Sequence, residues 1–225
     1  MQVRRRTIAL WIGLVMAGAL TGCTVDPGLY QERGLRNYYE LHRVEAARAD
    51  FQRAIKGKPT LWQSQYHLGL IALSHNEPML AQRHLEIALT LVRDQPAQAQ
   101  PIVDALAEAM YQQGDYPRLF GFLNEVTDQY GTANDYLRRA RYFVKVGDHD
   151  NAQVAFRQAI KVAGPGEVEP YLALAGFYEQ IGATDKALVV LRQAYGLAPD
   201  NAQVAQAIRR LGEIPGPTIS LPPDR

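Results

Sequence analysis

The side chains of this sequence that could do chemistry are few, and its single cysteine, Cys23, stands out among them. One cysteine excludes an internal disulfide framework and a zinc site made from several cysteines. Leu20, Thr21 and Gly22 come directly before it, so the thiol follows one aliphatic and two small residues. A thiol can carry an acyl chain, and acylation attaches a protein to a membrane. The residues before Cys23 therefore decide whether that chemistry applies.

Residues 1–22 have the composition of an export signal. Three arginines at positions 4–6 are followed by an apolar run at positions 8–20, and the first acidic residue is Asp26. The run is well short of the ~20 apolar residues that a transmembrane helix needs, but it suits the core of a signal peptide. We therefore predict that residues 1–22 are a signal peptide. Without its arginines the mature chain would be mildly acidic.

Residues 20–23 (LTGC) resemble the lipobox of bacterial lipoprotein signal peptides. The resemblance implies that Cys23 is lipidated and begins the mature chain, with residues 23–27 as a lipidated N-terminus and short tether. Thr24, and not an aspartate, follows the cysteine. By the sorting rule of Gram-negative lipoproteins, this favours the outer membrane of the bacterial cell envelope, facing the periplasm. The alternatives are a secretory signal with an accidental cysteine and an uncleaved membrane anchor.

The remaining polar side chains form no recognisable catalytic or metal-binding motif. The five histidines occupy unlike positions with no H-E-x-x-H pair, and the glycine motifs of nucleotide-binding loops and serine hydrolases are missing. Each histidine is predicted to be solvated or to lie in a turn. Asp104 and Glu108, one helical turn apart, give the only hint of an acid pair. We therefore predict no catalytic residue, no metal site and no cofactor besides the lipid on Cys23.

The overall charge argues against a nucleic-acid partner. Lys and Arg together number 24 and Asp and Glu 23, which gives a formal charge of +1 at pH 7. Such a chain has no whole-protein basic field that would capture nucleic acid. With 47% hydrophobic residues it can bury a core, so a globular or repeat protein is predicted.

One spacing of small and large residues recurs along the chain. The polar residues considered above must therefore be positioned by a repeated structural element. An alanine is followed four residues later by a large apolar residue and three residues after that by another alanine. The matching sets are Ala47, Phe51 and Ala54; Ala81, Leu85 and Ala88; Ala152, Phe156 and Ala159; and Ala187, Leu191 and Ala194. Small residues beside large ones allow two helices to pack closely.

This pattern resembles the tetratricopeptide repeat, a unit of about 34 residues that forms two antiparallel helices. The resemblance implies an all-α fold, a right-handed α-solenoid of about five helix pairs with a C-terminal capping helix. The units cover residues 28–201 and run over 28–61, 62–95, 100–132, 133–167 and 168–201. The third unit matches least well, because Leu119, Leu123 and Val126 stand at its small-large-small positions and residues 96–99 interrupt the period.

The two segments after the repeats have different compositions. Residues 201–211 alternate apolar and polar residues with helical period and are predicted to form an amphipathic helix that covers the open end of the last repeat. Residues 212–225 contain four prolines and no periodicity. We predict that they form an extended or disordered proline-rich tail.

The repeat family also implies where a partner would bind, since five positions of each first helix line its inner groove. These positions carry aromatic, aliphatic and charged residues of both signs, as expected of a surface that binds peptides. They include Arg36, Tyr39, Tyr66, Leu70, Asp104, Glu108, Tyr111, Leu137, Arg141, Lys145 and Leu172.

Together these features predict a lipid-anchored scaffold or adaptor that is not an enzyme and that binds a protein partner through its groove and a membrane through its lipid. Its architecture is similar to pilus-biogenesis and secretion-system lipoproteins, and to lipoproteins that present substrates to periplasmic proteases. Assembly of a pilus, secretion or other envelope complex is the function that this resemblance implies. The alternatives are an accessory subunit of a cell-wall or polysaccharide enzyme system, and an enzyme whose site lies in the groove.

Overall fold

The computed structural model describes residues 26–223. The predicted signal peptide, the lipobox with Cys23 and all but the end of the tether lie outside the described residues. The described residues form eleven α-helices and no strand, followed by one 3-10 turn at Pro217–Ile219. Of the helices within 26–223, none is long and apolar enough to cross a membrane.

Ten of the helices form five antiparallel pairs, which confirms the predicted all-α solenoid of helix pairs. The first helices of the pairs are α1 (Pro27–Tyr39), α3 (Trp62–Ser74), α5 (Pro96–Gln113), α7 (Ala133–Lys145) and α9 (Glu169–Gln180). The second helices are α2 (Val44–Gly57), α4 (Pro78–Val92), α6 (Tyr116–Gln129), α8 (His149–Val162) and α10 (Thr184–Leu197). The last helix, α11 (Ala202–Arg210), packs against α10 as the predicted cap.

The recurring small and large residues lie in the core of four of the five pairs. Every alanine, phenylalanine and leucine of the four matching sets is buried. In the first two pairs a glycine of the first helix faces the large residue of the second helix. A Cβ on Gly34 would lie 2.6 Å from the Phe51 ring, and one on Gly69 would lie 2.5 Å from Leu85. Only glycine therefore allows these helices to approach so closely.

The third pair differs from the predicted boundary at residue 100. Helix α5 begins at Pro96, so residues 96–99 add a helical turn to the start of the unit and do not interrupt it. Pro96 is tolerated there because the first residues of a helix donate no intrahelical hydrogen bond. In α6, Leu119, Leu123 and Val126 are buried despite their departure from the small-large-small pattern.

The C-terminal segment differs from the predicted disordered tail, because part of it is docked on α10. The Nε of Arg192 donates a hydrogen bond to the Ile219 carbonyl at 2.8 Å, and the Leu221 N–H donates to the Arg192 carbonyl at 3.1 Å. Ile219 also packs against the C-terminal core cluster. Composition predicted the absence of periodic structure, but these long-range contacts fix the segment in place.

We expect Gly196→Ala to release this docked segment while leaving α10 helical. A Cβ at residue 196 would lie 2.2 Å from the Leu221 carbonyl oxygen, and alanine favours the helix itself over glycine. Hydrogen exchange at the Leu221 amide should accelerate, as should proteolysis of residues 213–223. Gly176→Ala in α9 is the matched control, because nothing lies within 4 Å of its added Cβ. Unchanged protection in the Gly196 variant would show that the docked conformation does not depend on this contact.

Candidate partner-binding groove

The first helices of the pairs form the inner face of the solenoid. Helices α1 and α3, α3 and α5, and α7 and α9 contact each other directly, in addition to their contacts with second helices. Ten of the predicted groove residues leave side-chain surface accessible on this face. Arg36, Tyr39, Asp104, Arg141 and Lys145 are exposed, whereas Tyr66, Leu70, Glu108, Tyr111 and Leu172 are half-buried.

Leu137 is the exception and was wrongly predicted as a groove residue. It is 7% exposed and lies in the C-terminal core cluster with Ala140 and Phe143. Arg141 lies one helical turn later on the same face of α7 and remains exposed, so the burial of Leu137 comes from the neighbouring core residues that pack over it.

A cluster of charged and aromatic side chains occupies the middle of the groove, between α5 and α7. The Lys145 ammonium lies 2.7 Å from the Glu108 carboxylate and sits over two rings, 4.7 Å from the Tyr111 centroid and 4.8 Å from the Tyr142 centroid. The Tyr142 hydroxyl donates a second hydrogen bond to Glu108 at 3.2 Å. These contacts hold Lys145 and the exposed edge of Tyr111 in one defined arrangement.

The electrostatics of this cluster keep Glu108 ionised. Burial opposes the charge, but the hydrogen bond and the attraction from Lys145 outweigh it and hold the pKa of Glu108 below its ordinary value. Burial, together with the nearby Glu108 charge, raises the pKa of Tyr142. A general acid needs the opposite shift, a carboxyl whose pKa is raised toward neutrality. Glu108 is therefore suited to an ion pair and not to donating a proton.

A buried ionic network lies beneath the groove next to this cluster. Arg138 is fully buried, and its guanidinium donates to Asp104 at 2.6 Å, to Asp135 at 2.8 Å and to Gln100 at 2.5 Å. Burial opposes its charge, but the bonds to Asp104 and Asp135 prevail and raise the pKa of Arg138 above its ordinary value. The Asp104 Oδ1 that accepts from Arg138 also lies 3.9 Å from the exposed Arg141 guanidinium, so this half-exposed carboxylate joins the buried network to the groove surface.

Sequence reasoning missed Arg138 and Asp135, although a local signal for them exists. Thr132 and Asp135 form a capping box at the start of α7, a known pairing at this spacing. Arg138 follows one turn after Asp135, where an opposite charge contacts it. Asp104 and Glu108, the hinted acid pair, are separately paired with Arg138 and Lys145 and so do not act on one shared centre.

The N-terminal end of the groove carries an aromatic patch around His67. Its Nε2 lies 3.0 Å from the Tyr39 hydroxyl, and its Nδ1 lies 2.7 Å from the Gln63 carbonyl. The imidazole stacks on Phe51 at 5.0 Å and meets Tyr66 edge-on at 5.3 Å. Tyr39 completes this patch with an exposed ring, so its outer surface is aromatic and carries a hydroxyl.

The prediction that every histidine is solvated or in a turn was wrong for two of them. His67 is 5% exposed in the middle of α3, and burial lowers its pKa. His84 in α4 is half-buried with its Nδ1 2.7 Å from the Gln65 side-chain oxygen, and burial lowers its pKa as well. Both rings are positioned by packing that spacing along the sequence does not reveal. Within residues 26–223, no three His, Cys, Asp or Glu side chains are arranged to hold a metal ion.

The comparisons with known proteins agree with this architecture. The tetratricopeptide repeat family model matches residues 137–202. Among curated proteins, none matches the sequence at a significant level. The fold is that of a tetratricopeptide-repeat α-solenoid, and solved structures of such proteins superpose on it over most of its length.

Three of these structures illustrate the similarity. A thermophilic TPR protein from Thermus thermophilus is 22% identical, with 82% of this chain and 98% of that chain covered and a TM-score of 0.50. MamA from Desulfovibrio magneticus is 12% identical over 78% of this chain and 97% of its own, with a TM-score of 0.57. YrrB, described as a TPR protein with an unusual peptide-binding site, is 16% identical, with 82% of this chain and 92% of that chain covered and a TM-score of 0.51.

Proposed function

We propose that this protein is a lipid-anchored scaffold of the bacterial envelope that binds a segment of a partner protein in its inner groove. The observation that carries the proposal is the arrangement of Tyr111, Arg141 and Lys145 at the centre of the groove. They present an aromatic edge and two exposed cations beside the carboxylates of Asp104 and Glu108. Tetratricopeptide repeats are a protein-interaction fold, which is consistent with this use of the groove.

The chemistry of the groove fits an extended peptide with polar and apolar side chains. Tyrosine and arginine contribute most of the binding energy at many protein interfaces, because they combine a large contact area with hydrogen bonding. The aromatic patch at Tyr39 and Tyr66 lies at one end of the groove and the charged cluster at its centre, so one segment could contact both. The description of YrrB as peptide-binding gives a precedent for this fold.

The anchor would hold the groove close to the membrane. Helix α1 begins at Pro27, and Asp26 caps it by accepting a hydrogen bond from the Gly28 N–H at 2.9 Å. Only residues 24–26 would then separate lipidated Cys23 from the first helix, a distance of about 10 Å when extended. A partner bound in the groove would be concentrated at the membrane surface. The proposed role is assembly of a pilus, secretion or other envelope complex at the outer membrane.

We expect the triple substitution Tyr66→Ala, Tyr111→Ala and Arg141→Ala to reduce partner capture at least about thirtyfold, the loss typical of interface hot spots. Capture is measured by crosslinking in the native envelope, with quantification of the crosslinked protein by mass spectrometry. The matched control replaces Met79, Arg83 and Ile87 of α4 by alanine. These residues are exposed and lie on a second helix, away from the groove.

The circular dichroism spectrum of each variant should remain helical, because the groove side chains replaced are exposed or half-buried. If the triple variant is folded and captures the same protein as well as the wild type does, the groove is not the binding surface. If the α4 control loses capture equally, the partner contacts the outer face.

A further inference from the structure

A second groove lies on the outer face of the solenoid, between the second helices α8 and α10. Leu174 and Tyr178 of α9 form its floor, and its volume is about 660 Å³. Its walls come from one face of each helix, at residues 153–161 of α8 and 185–193 of α10. On both helices the lining residues recur at i, i+1, i+4, i+5 and i+8, so each wall is a straight ridge about 12 Å long.

The walls expose apolar surface to solvent. Val154 on α8 is 55% exposed and Val189 on α10 is 46% exposed, although both line the groove. Deeper in the groove, Ile160 and Leu174 are buried. The apolar surface is therefore continuous from the floor to the rims, as in grooves that accept an apolar helix face.

Cationic side chains flank this apolar surface. Arg157 and Lys161 of α8 and Lys186 of α10 line the groove, against one carboxylate, Asp185. In the part of the chain that the structure describes, neither Arg157 nor Lys161 forms an ion pair, and Lys186 only approaches the Tyr178 ring, at 5.7 Å. The groove lining thus carries three cationic side chains against one carboxylate, and Arg157 and Lys161 are not paired with a carboxylate among residues 26–223.

We propose that the outer groove binds an acidic amphipathic helix of a protein partner. Two parallel ridges separated by an apolar floor are the surface against which a third helix packs, with its own ridge in the groove. Leucine-like side chains at i, i+3, i+4 and i+7 would contact Val154, Val189 and the floor. Acidic side chains on the flanks of that helix would meet Arg157, Lys161 and Lys186.

This site is separate from the proposed peptide groove, because its walls are second helices and it shares no lining residue with the predicted groove positions. A partner, or two partners, could occupy both surfaces at once. Two simultaneous contacts would raise the overall affinity through effective concentration, without any change in the inner groove. The inference does not depend on the inner groove being a binding site.

The test uses the full chain reconstituted in phosphatidylcholine nanodiscs, with empty nanodiscs as blank. The probe is a fluorescein-labelled helical peptide with leucine at i, i+3, i+4 and i+7 and glutamate on its flanks. Its matched control peptide has lysine at every glutamate position. We expect the acidic peptide to bind at least about tenfold more tightly than the basic one by fluorescence anisotropy.

Protein variants locate the site. Val154→Ser with Val189→Ser should weaken binding of the acidic peptide at least about tenfold, since apolar contact area is lost on both walls. Arg157→Glu with Lys161→Glu should reverse the preference between the two peptides. Met79→Ser with Ile87→Ser, which removes exposed apolar side chains from α4, should leave binding unchanged. Each of the three double variants is used only if its circular dichroism spectrum matches that of the wild type.

Four outcomes would overturn the proposal. Equal or tighter binding of the basic peptide would contradict the charge argument, and binding insensitive to the valine and cation variants would place the peptide elsewhere. Binding of dodecanoate but of neither peptide, lost in the valine variant, would make the groove a site for a fatty acid. Self-association of the chain that is lost in the valine variant, without peptide binding, would make a second copy the occupant.

Discussion

Cys23→Ala is expected to abolish stable attachment of the protein to the membrane or to leave it as an unprocessed precursor. A lipidated cysteine would bury long acyl chains in the bilayer, at ~0.8 kcal/mol for each methylene group. A single acyl chain gives only marginal, reversible binding, whereas two or more give stable anchoring. The expected change in partitioning is therefore of many orders of magnitude, larger than any effect of a groove substitution.

Membrane fractionation and intact-mass measurement together check this prediction. The wild type should sediment with membranes and have the mass of a chain that begins at Cys23 with its acyl groups. The variant should be found in the soluble fraction, or should retain the mass of residues 1–22. Thr24→Ala is the matched control, because it changes the neighbouring residue and keeps the lipobox. An unchanged membrane fraction and an unchanged mass in the Cys23 variant would contradict the lipoprotein proposal.

The helix pairs could be predicted from the sequence because their signal is local. Ala47, Phe51 and Ala54 lie on one face of a single helix, and their spacing alone specifies a close helix contact. The same pattern in α4, α8 and α10 placed each of those helices, and α11 was predicted from its amphipathic period. Local patterns of this kind do not depend on what the neighbouring repeat contributes.

The boundary at Pro96, the burial of His67 and the docked C-terminal segment could not be predicted in the same way. The last two depend on contacts between residues far apart in sequence, whereas Pro96 is compatible both with a break and with the first turn of a helix. His67 is enclosed by Tyr39 of the preceding repeat and Phe51 of α2, and Ile219 is held by Arg192 of α10. A proline or a histidine has the same local propensity whether or not such a partner exists. The sequence therefore predicted a break at residues 96–99, a solvated or turn position for His67 and a disordered tail after residue 211.

For the candidate groove, the sequence predicted which helices line it, but it did not predict which charged side chains form ion pairs with each other. Knowing that Asp104, Glu108, Arg141 and Lys145 occupy first helices places them on one surface. Which carboxylate pairs with which cation depends on the offset between α5 and α7, and that offset is determined by the packing of whole helices. Glu108 pairs with Lys145, whereas Asp104 pairs chiefly with the buried Arg138.

We expect Arg138→Met to reduce the free energy of unfolding by about 3–5 kcal/mol, the cost of removing one partner of a buried ion pair. The loss is a large fraction of the roughly 5–15 kcal/mol that stabilises a typical domain. The Asp135 side chain has no exposed surface, and methionine would leave its carboxylate without the guanidinium that faces it at 2.8 Å. Methionine fills similar space, so the effect reports the lost charge and not a cavity.

A double-mutant cycle distinguishes this cause from lost packing. Asp135→Asn removes the buried charge, so adding it to Arg138→Met should cost at least about 1 kcal/mol less than the two single substitutions combined. Arg141→Met, three residues along the same helix and 60% exposed in its side chain, should change stability by no more than about 0.5 kcal/mol. Urea denaturation followed by circular dichroism gives all four free energies. Additive single effects, or a loss below about 1 kcal/mol for Arg138→Met, would mean that the network contributes packing alone.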